Sequence, residues 1–423
     1  MRRNGVTRSI LTIVLAALLL SAPLAALAAP GDLDTTFSGD GMRAIGFGPD
    51  SDRAHDILVL PSGKILVGGV IRVGGESRFG LVRLTANGAF DTTFGGGDGK
   101  ATGPAGTIWG LARTTDGKVL AVGDSPGAPL QVARFTAAGA LDTTFGGGDG
   151  VVLTGFGPGT TSTGYDLAVL ADGRFLVAGE TWDGSQYDLI VARYNPIGGL
   201  DTTFGGGDGK VRVDVAGGTD GAFDVMPLSS GDFLVGGWAG AADGSEDLAV
   251  LRFTADGSLK PAFGGGDGIA TANFGSGSDG GIALVRMGNG TIVIAGHALV
   301  GADYDLVLAR FTPTGVLDTT FGGGDGKARL ARAGNQFAGD LALVGGRLYL
   351  SGTIDDNLSL VRFTTAGAVD STFGTGGVAS ADFGFPSQGH NGGIAVQANG
   401  KLVVASSSQG DNPGWAVARF LRS

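Results

Sequence analysis

Residues 200–209 read LDTTFGGGDG, and the chain keeps returning to this string. LDTTF also stands at Leu33 to Phe37 and ends at Phe145 and Phe321, while FDTTF ends at Phe94. Two looser copies, LKPAF ending at Phe263 and VDSTF ending at Phe373, complete the series. Successive phenylalanines lie 57, 51, 59, 59, 58 and 52 residues apart. Each copy is followed by an apolar-Arg-apolar signature centred on Arg83, Arg134, Arg193, Arg252, Arg310, Arg362 or Arg419. Seven copies of each landmark define seven units of about 51–59 residues. A period of this length marks a supersecondary unit that buries its apolar face only by packing on its neighbours.

One unit reads GKVRVDVAG, AFDVMPLSSG, DFLVGGWAG, EDLAVLRFT. Each piece is short, rich in Val, Leu and Phe, and bounded by turn residues, so each is expected to be a strand. Between the second and third pieces stand pairs such as Ser62-Gly63, Asp116-Gly117, Asp172-Gly173 and Asn399-Gly400, which suit two-residue hairpins. The stretch from a fourth strand to the next first strand is longer, as in TADGSLKPAFGGGDG. Strands lie about 4.8 Å apart, so a return from outermost to innermost strand needs such a connector. A four-stranded meander with a crossing connector is a propeller blade. The expectation is therefore an all-β, seven-bladed β-propeller of four-stranded antiparallel blades. An open β-solenoid is disfavoured, because its coils are shorter and need distinct caps.

Composition agrees. The 83 glycines and 14 prolines among 423 residues exclude long helices, and 43% apolar against 16% charged residues excludes a solvated disordered chain. Residues 1–28 read as a cleaved signal peptide: Arg2, Arg3 and Arg8 precede the apolar run Ile10 to Leu20, and Ala26-Leu27-Ala28 ends in a small-residue cleavage pattern. The propeller is then residues 29–423, exported to the periplasm, cell surface or medium, with no later segment apolar enough to span a membrane. The formal net charge is −11, and the leader takes three arginines with it. Such a surface repels phosphate backbones, so nucleic acid is excluded as a partner. With no cysteine, stability must come from a buried core.

The LDTTFGGGDG landmark and its spacing resemble the delta-60 repeat family, a bacterial repeat regarded as a β-propeller of unknown function. The resemblance spans the chain after the leader. Unit five departs from it with Lys260 and Pro261 for Asp and Thr, and unit seven reads FGTGG without the second acid. It implies fold, export and repeat logic, and supplies no catalytic residues.

The repeated Phe is expected to wedge between blades. The connector acids Asp34, Asp91, Asp142, Asp201, Asp318 and Asp370 are expected to pair with the repeated Arg, leaving Arg252 to find another acceptor because Lys260 replaces its acid. Asp40, Asp98, Asp149, Asp208, Asp267 and Asp325 raise the possibility of calcium. One carboxylate among glycines falls short of the six oxygens calcium takes, so a side chain to backbone turn bond is expected. GGGDGK lacks the spacing and Ser/Thr of a phosphate loop. Gly123 to Gly127 matches GxSxG without a following helix. His55, His297 and His390 share no repeat position, so no metal set is assembled and no cofactor is expected.

The end of the propeller carrying the tight turns repeats closely, whereas the other end varies and carries Trp109, Trp182, Trp238 and Trp415. Variable loops on a rigid scaffold are where binding resides. The candidate ligand-binding residues are Trp182, Tyr187, Trp238, Tyr304 and Trp415, with Trp109 sharing its place with Tyr165 and Phe223 as a core cap. The leading function is a non-enzymatic scaffold that binds a protein or glycan. The alternatives are a carbohydrate lyase or hydrolase at the channel mouth, and a structural envelope module.

Overall fold

The computed structural model describes residues 28–422 apart from 49–51, 126, 128, 241–243, 276, 385–386, 389–391 and 409–413. Of the proposed leader, residues 1–28, all but Ala28 lie outside the described residues, as does His390. Strands and turns make up the described chain, with one 3₁₀ turn at Gly205–Gly207. No described helix is long and apolar enough to cross a membrane.

The strands form seven antiparallel sheets, the blades of a propeller. In the fourth, Gly221–Pro227 pairs with Phe233–Gly240, then Glu246–Phe253, then Ile269–Ala272. The first strand of each blade lines the central channel, since residues of these strands from every blade wall one cavity. Third strands are buried almost without a break, as in Leu130–Phe135 and Trp415–Phe420, because neighbouring blades cover both faces.

The blade frame differs from the sequence frame in one respect. LDTTFGGGDG joins the third strand to the outer strand of the same blade and does not cross between blades. The crossing connectors are the short segments such as 273–278. The long stretch is long because its middle dips into the interblade seam. Phe204 and its six equivalents are at most 2% exposed, and Phe204 packs among residues of the third and fourth blades. Removing such a ring from water contributes about 1.5–3 kcal/mol. Gly345-Gly346 is a two-residue hairpin, Val344 pairing Arg347, but the other six tight turns are a residue longer: Gly63 at φ 79° donates to the Leu60 carbonyl, and Leu60 to that of Lys64. This is a type I turn closed by a glycine bulge.

The ring closes through the termini. Met42–Ile45, near the N-terminus, is the outer strand of the last blade, paired with Trp415–Phe420. The repeated arginines reinforce this closure. Six pair with the expected acids at 2.5–3.0 Å: Arg83 with Asp91, Arg134 with Asp142, Arg193 with Asp201, Arg310 with Asp318, Arg362 with Asp370, and Arg419 with Asp34. Each of these guanidinium groups lies over the wedge Phe of the same blade, Arg419 over Phe37. Nη1 then donates to a carbonyl of the following blade, such as Pro196 from Arg134 at 2.5 Å. Arg419 donates to Ala86 of the first blade at 2.5 Å, so the clamp runs around the whole ring.

The second repeated acid makes the expected turn bond. Oδ1 of Asp40, Asp98, Asp149, Asp208, Asp267 and Asp325 accepts the N–H two residues on at 2.9–3.0 Å.

Candidate functional site at the channel mouth

Pairing of the first and second strands slips at one point in six blades: Ala54/Asp56, Ile108/Gly110, Gly164/Asp166, Ala222/Asp224, Gly281/Ala283 and Ala338/Leu341. A bulge leaves an extra residue unpaired and re-aims its side chain, here into the channel. The glycine opposite makes this possible: a Cβ on Gly179 would lie 1.9 Å from the Thr163 carbonyl oxygen. The bulged residues are His55, Trp109, Tyr165, Phe223 and Ile282, with Gly339 in the sixth blade.

Four of these rings touch in sequence. His55 lies 4.1 Å from Trp109, Trp109 5.6 Å from Tyr165, and Tyr165 stacks on Phe223 at 4.1 Å. Phe223 meets Trp238 at 4.4 Å, and His297, Tyr304 and Phe337 form a second group with centroids 5.5–5.6 Å apart. The two groups meet around a cavity of about 330 Å³ lined by Trp109, Tyr165, Phe223, Trp238, Tyr304 and Glu246 among others. It opens at the variable end, where the second strands finish and the third begin.

Polar groups at this mouth are incompletely paired. Nε1 of Trp109 and of Trp238 is buried without a hydrogen-bond partner among the described residues. Oε1 of Glu180 accepts the Tyr165 hydroxyl at 2.8 Å, while its Oε2 is buried and unpartnered. Burial first, and then the charge of Glu246, pushes the Glu180 carboxyl up to about 7 against the Tyr165 hydrogen bond.

Deeper in the channel stand Asp56, Asp166, Asp224 and Asp340, each next to a bulged residue. One oxygen of each accepts an N–H from the blade that follows it: Leu111 to Asp56 at 2.7 Å, Val225 to Asp166 at 2.9 Å, Leu284 to Asp224 at 2.6 Å and Ile394 to Asp340 at 3.0 Å. These bonds staple channel strands together. Burial raises Asp56 and Asp166 to about 7 and Asp340 to about 6, and places Asp224 well above the usual carboxylate range.

Of the sequence candidates, the fold brings Trp238 and Tyr304 to the mouth. Trp182 and Tyr187 pair with each other at 4.9 Å across the hairpin of the third blade, away from the mouth cavity. Trp415 is withdrawn: it is 0% exposed, packs at a tilt against Phe47 and donates to the Val70 carbonyl at 3.3 Å, so it has no surface to offer. Trp109, Tyr165 and Phe223, read as core caps, are wall residues of the channel. His55, in the strand Arg53–Val59, is likewise a wall residue of the channel. Glu180, Glu246 and His297 were missed, since their positions do not repeat.

Asp188, Asp214 and Asp220 gather their oxygens within 4.8 Å at another crossing connector. Asp220 is engaged by the N–H groups of Val215 at 2.6 Å and Gly240 at 2.9 Å, and Asp188 by Arg212. Asp52 grips its own connector through Phe47 and Arg72 in the same way, which makes Asp220 a loop anchor.

Residues 60–94, 170–204, 229–263 and 288–321 match the family described as a domain of unknown function (DUF5122) beta-propeller. These are DUF5122 repeats. The family comprises the delta-60 repeat type, in agreement with the resemblance drawn from LDTTF. Each DUF5122 match runs from a tight turn through the second and third strands to the wedge Phe, so the channel strands lie outside it. No curated protein matches the sequence. Among solved structures, polysaccharide lyase Uly1 is 12% identical over 90% of this chain and 92% of its own, with a TM-score of 0.53. The WD40 domain of Toxoplasma gondii coronin is 10% identical over 93% and 89%, with a TM-score of 0.52. At such identities the likeness is one of fold.

Proposed function

We propose that this DUF5122 propeller is an exported, non-enzymatic binding module that takes a glycan into the aromatic mouth of its channel. The observation that carries the reading is the belt of Trp109, Tyr165, Phe223 and Trp238 with Tyr304 opposite, around a cavity of about 330 Å³. Aromatic walls with a few unpaired polar groups are how small-ligand sites are built. Sugars present apolar C–H faces to rings and hydroxyls to polar wall groups such as Glu246, Ser278 and Tyr304. Among the described residues no lysine or arginine lines the mouth cavity, which suits a neutral glycan and disfavours an acidic one. Export is supported by the composition of the leader. A glycan array followed by calorimetry tests the reading: neutral oligosaccharides should bind, and Trp238→Ala should weaken them at least tenfold.

A second reading, hydrolysis of that glycan, is favoured by Glu180. A carboxyl held near 7 beside a second carboxylate has the makings of a general acid. Release of reducing ends, abolished by Glu180→Gln with binding intact, would establish it.

A further inference from the structure

At the end carrying the tight turns, the seam between the fourth and fifth blades departs from the repeat. In the other six blades the clamp arginine lies over its wedge Phe and pairs with the landmark acid, while its Nη2 donates to a threonine two residues after that acid. Here Lys260 replaces the acid and Ala262 the threonine. Arg252 is drawn off toward the tight turn, meeting Asp232 through Nε at 3.2 Å and Nη2 at 2.8 Å. Beside it the seam encloses a cavity of about 140 Å³.

Leu228 and Leu234 of the fourth blade and Ile292 and Pro313 of the fifth give this cavity apolar walls, and Arg252 and Arg286 give it positive charge. Arg286 ends the channel strand Asp279–Arg286 and is exposed. A Cβ on Gly290 would lie 3.1 Å from its Nη2 and 3.3 Å from the Pro313 ring, so the guanidinium sits over the Gly290 turn at the cavity wall. Unlike Arg252, it makes no hydrogen bond or ion pair among the described residues. The turns on either side, Ser229-Ser230-Gly231 and Gly288-Asn289-Gly290, carry no acid, whereas the second blade has Asp116 there, 3.5 Å from Lys118. Among the described residues no carboxylate lines the cavity.

We propose that this cavity binds a short aliphatic carboxylate, its chain among Leu228, Leu234, Ile292 and Pro313 and its carboxylate on Arg286, with Nη1 of Arg252 alongside. An unpaired guanidinium presents a fork of N–H donors that matches the two oxygens of a carboxylate. A cavity of about 150 Å³ holds a benzene-sized molecule, so a chain of about four to six carbons fits. A free short-chain acid and the C-terminus of a peptide ending in an aliphatic residue share this chemistry. The site lies at the opposite end of the propeller from the aromatic mouth and does not depend on the glycan reading.

The test is calorimetric titration of the intact protein at pH 7.5 with sodium 3-methylbutanoate, 3-methylbutanamide, inorganic phosphate and N-acetyl-alanyl-leucine. One 3-methylbutanoate per chain with a Kd at or below about 1 mM is expected. The amide, which lacks the charge, and phosphate, which lacks the chain, should each bind at least tenfold more weakly. Weaker binding of the peptide assigns a free acid, and equal or tighter binding assigns a chain terminus; both uphold the site. Arg286→Ala should weaken 3-methylbutanoate at least tenfold with Tm nearly unchanged, and Ser229→Glu, which sets an acid at the cavity, should do the same. Arg113→Ala should leave affinity unchanged: Arg113 stands over Gly117 as Arg286 does over Gly290, but beside Arg83, which keeps its acid and threonine. No binding of 3-methylbutanoate at 10 mM overturns the proposal. So does amide or phosphate binding as tight as the acid, full affinity in whichever of Arg286→Ala and Ser229→Glu folds, or affinity lost with Arg113→Ala.

Discussion

Lys260 and Asp232 have exchanged places. In the third blade, Arg174 at the tight turn meets Asp201 of the landmark at 2.8 Å, and Lys64 with Asp91, Lys118 with Asp142, Arg347 with Asp370 and Lys401 with Asp34 repeat that arrangement. In the fourth blade the acid sits at the turn and the base in the landmark, and they still meet, Nζ to Oδ2, at 2.6 Å. Arg252 follows the acid, pairing with Asp232 at 2.8 Å. The departure of LKPAF from LDTTF is therefore a charge reversal that preserves the pair.

If so, Lys260→Asp and Asp232→Lys should each destabilise by about 1–2 kcal/mol, because each sets like charges side by side. The double variant restores the order of the third blade and should lie within about 0.5 kcal/mol of the parent. Urea unfolding of the four proteins measures this coupling. Additive losses in the double variant would show that the exchange is incidental.

The clamp arginines should differ among themselves. Arg193 is 5% exposed, pairs with Asp201, and donates to Ala255 of the next blade and to Thr203 at 3.0 Å. Arg252 is more exposed and reaches Pro313 at 3.3 Å. Arg193→Ala is expected to cost about 2–3 kcal/mol and Arg252→Ala about half as much. Equal losses in denaturant unfolding would contradict the clamp geometry.

Stability should peak in mildly acidic solution. Burial raises Asp56, Asp166 and Asp220 to about 7 and Asp279 and Asp340 to about 6, and Glu180 follows for the same reason. These groups hold protons that the unfolded chain has released. Their stabilisation is complete below about pH 4 and is lost as pH rises through 6 to 7, at up to about 1.4 kcal/mol per proton per pH unit. Contact with channel water reduces that figure.

Two other sets run the opposite way. His55, lowered to about 3, withdraws stability as pH falls below its ordinary 6.5. Asp34 is held at about 2 because hydrogen bonds from Lys401 and Thr36 outweigh its burial, and it does the same below about pH 4. In metal-free buffer Tm should therefore fall by several degrees between pH 5.5 and 8.5, and fall less in Asp340→Asn. A flat or rising profile would mean that the channel acids are ionised in the folded protein.

Ring closure makes a separate demand. Without residues up to Ile45, the last blade loses its outer strand and the Asp34 partner of Arg419, and bares the edge of Trp415–Phe420. Such a truncation should lower Tm by more than 10 °C or aggregate, and a peptide spanning 28–48 added in trans should restore part of the loss. A truncated protein as stable as the parent would contradict the closure.

The scaffold was legible because its parts recur. Seven Phe wedges and the Arg-to-acid pairs sit at fixed spacing, and repetition separates them from chance. The blade boundary was not legible, because a cyclic repeat has no origin in sequence. The length of TADGSLKPAFGGGDG was read as a crossing, whereas it arises from Phe263 reaching into the seam. The channel wall was only half visible. An aromatic or imidazole before Asp recurs at His55, Tyr165 and Phe223, but turning that side chain inward depends on the bulge, which is a property of strand pairing. Trp415 misled because a tryptophan beside a variable loop reads the same whether it faces solvent or the seam.

The reading of the mouth as a glycan site is tested most directly by calorimetric titration of the protein and of its Trp238→Ala, Tyr304→Ala variant with the best neutral oligosaccharide from an array. The account expects one site per chain, at least a hundredfold weaker in the variant while Trp182→Ala leaves it unchanged. Equal affinity in the parent and the mouth variant would place binding elsewhere and contradict the account.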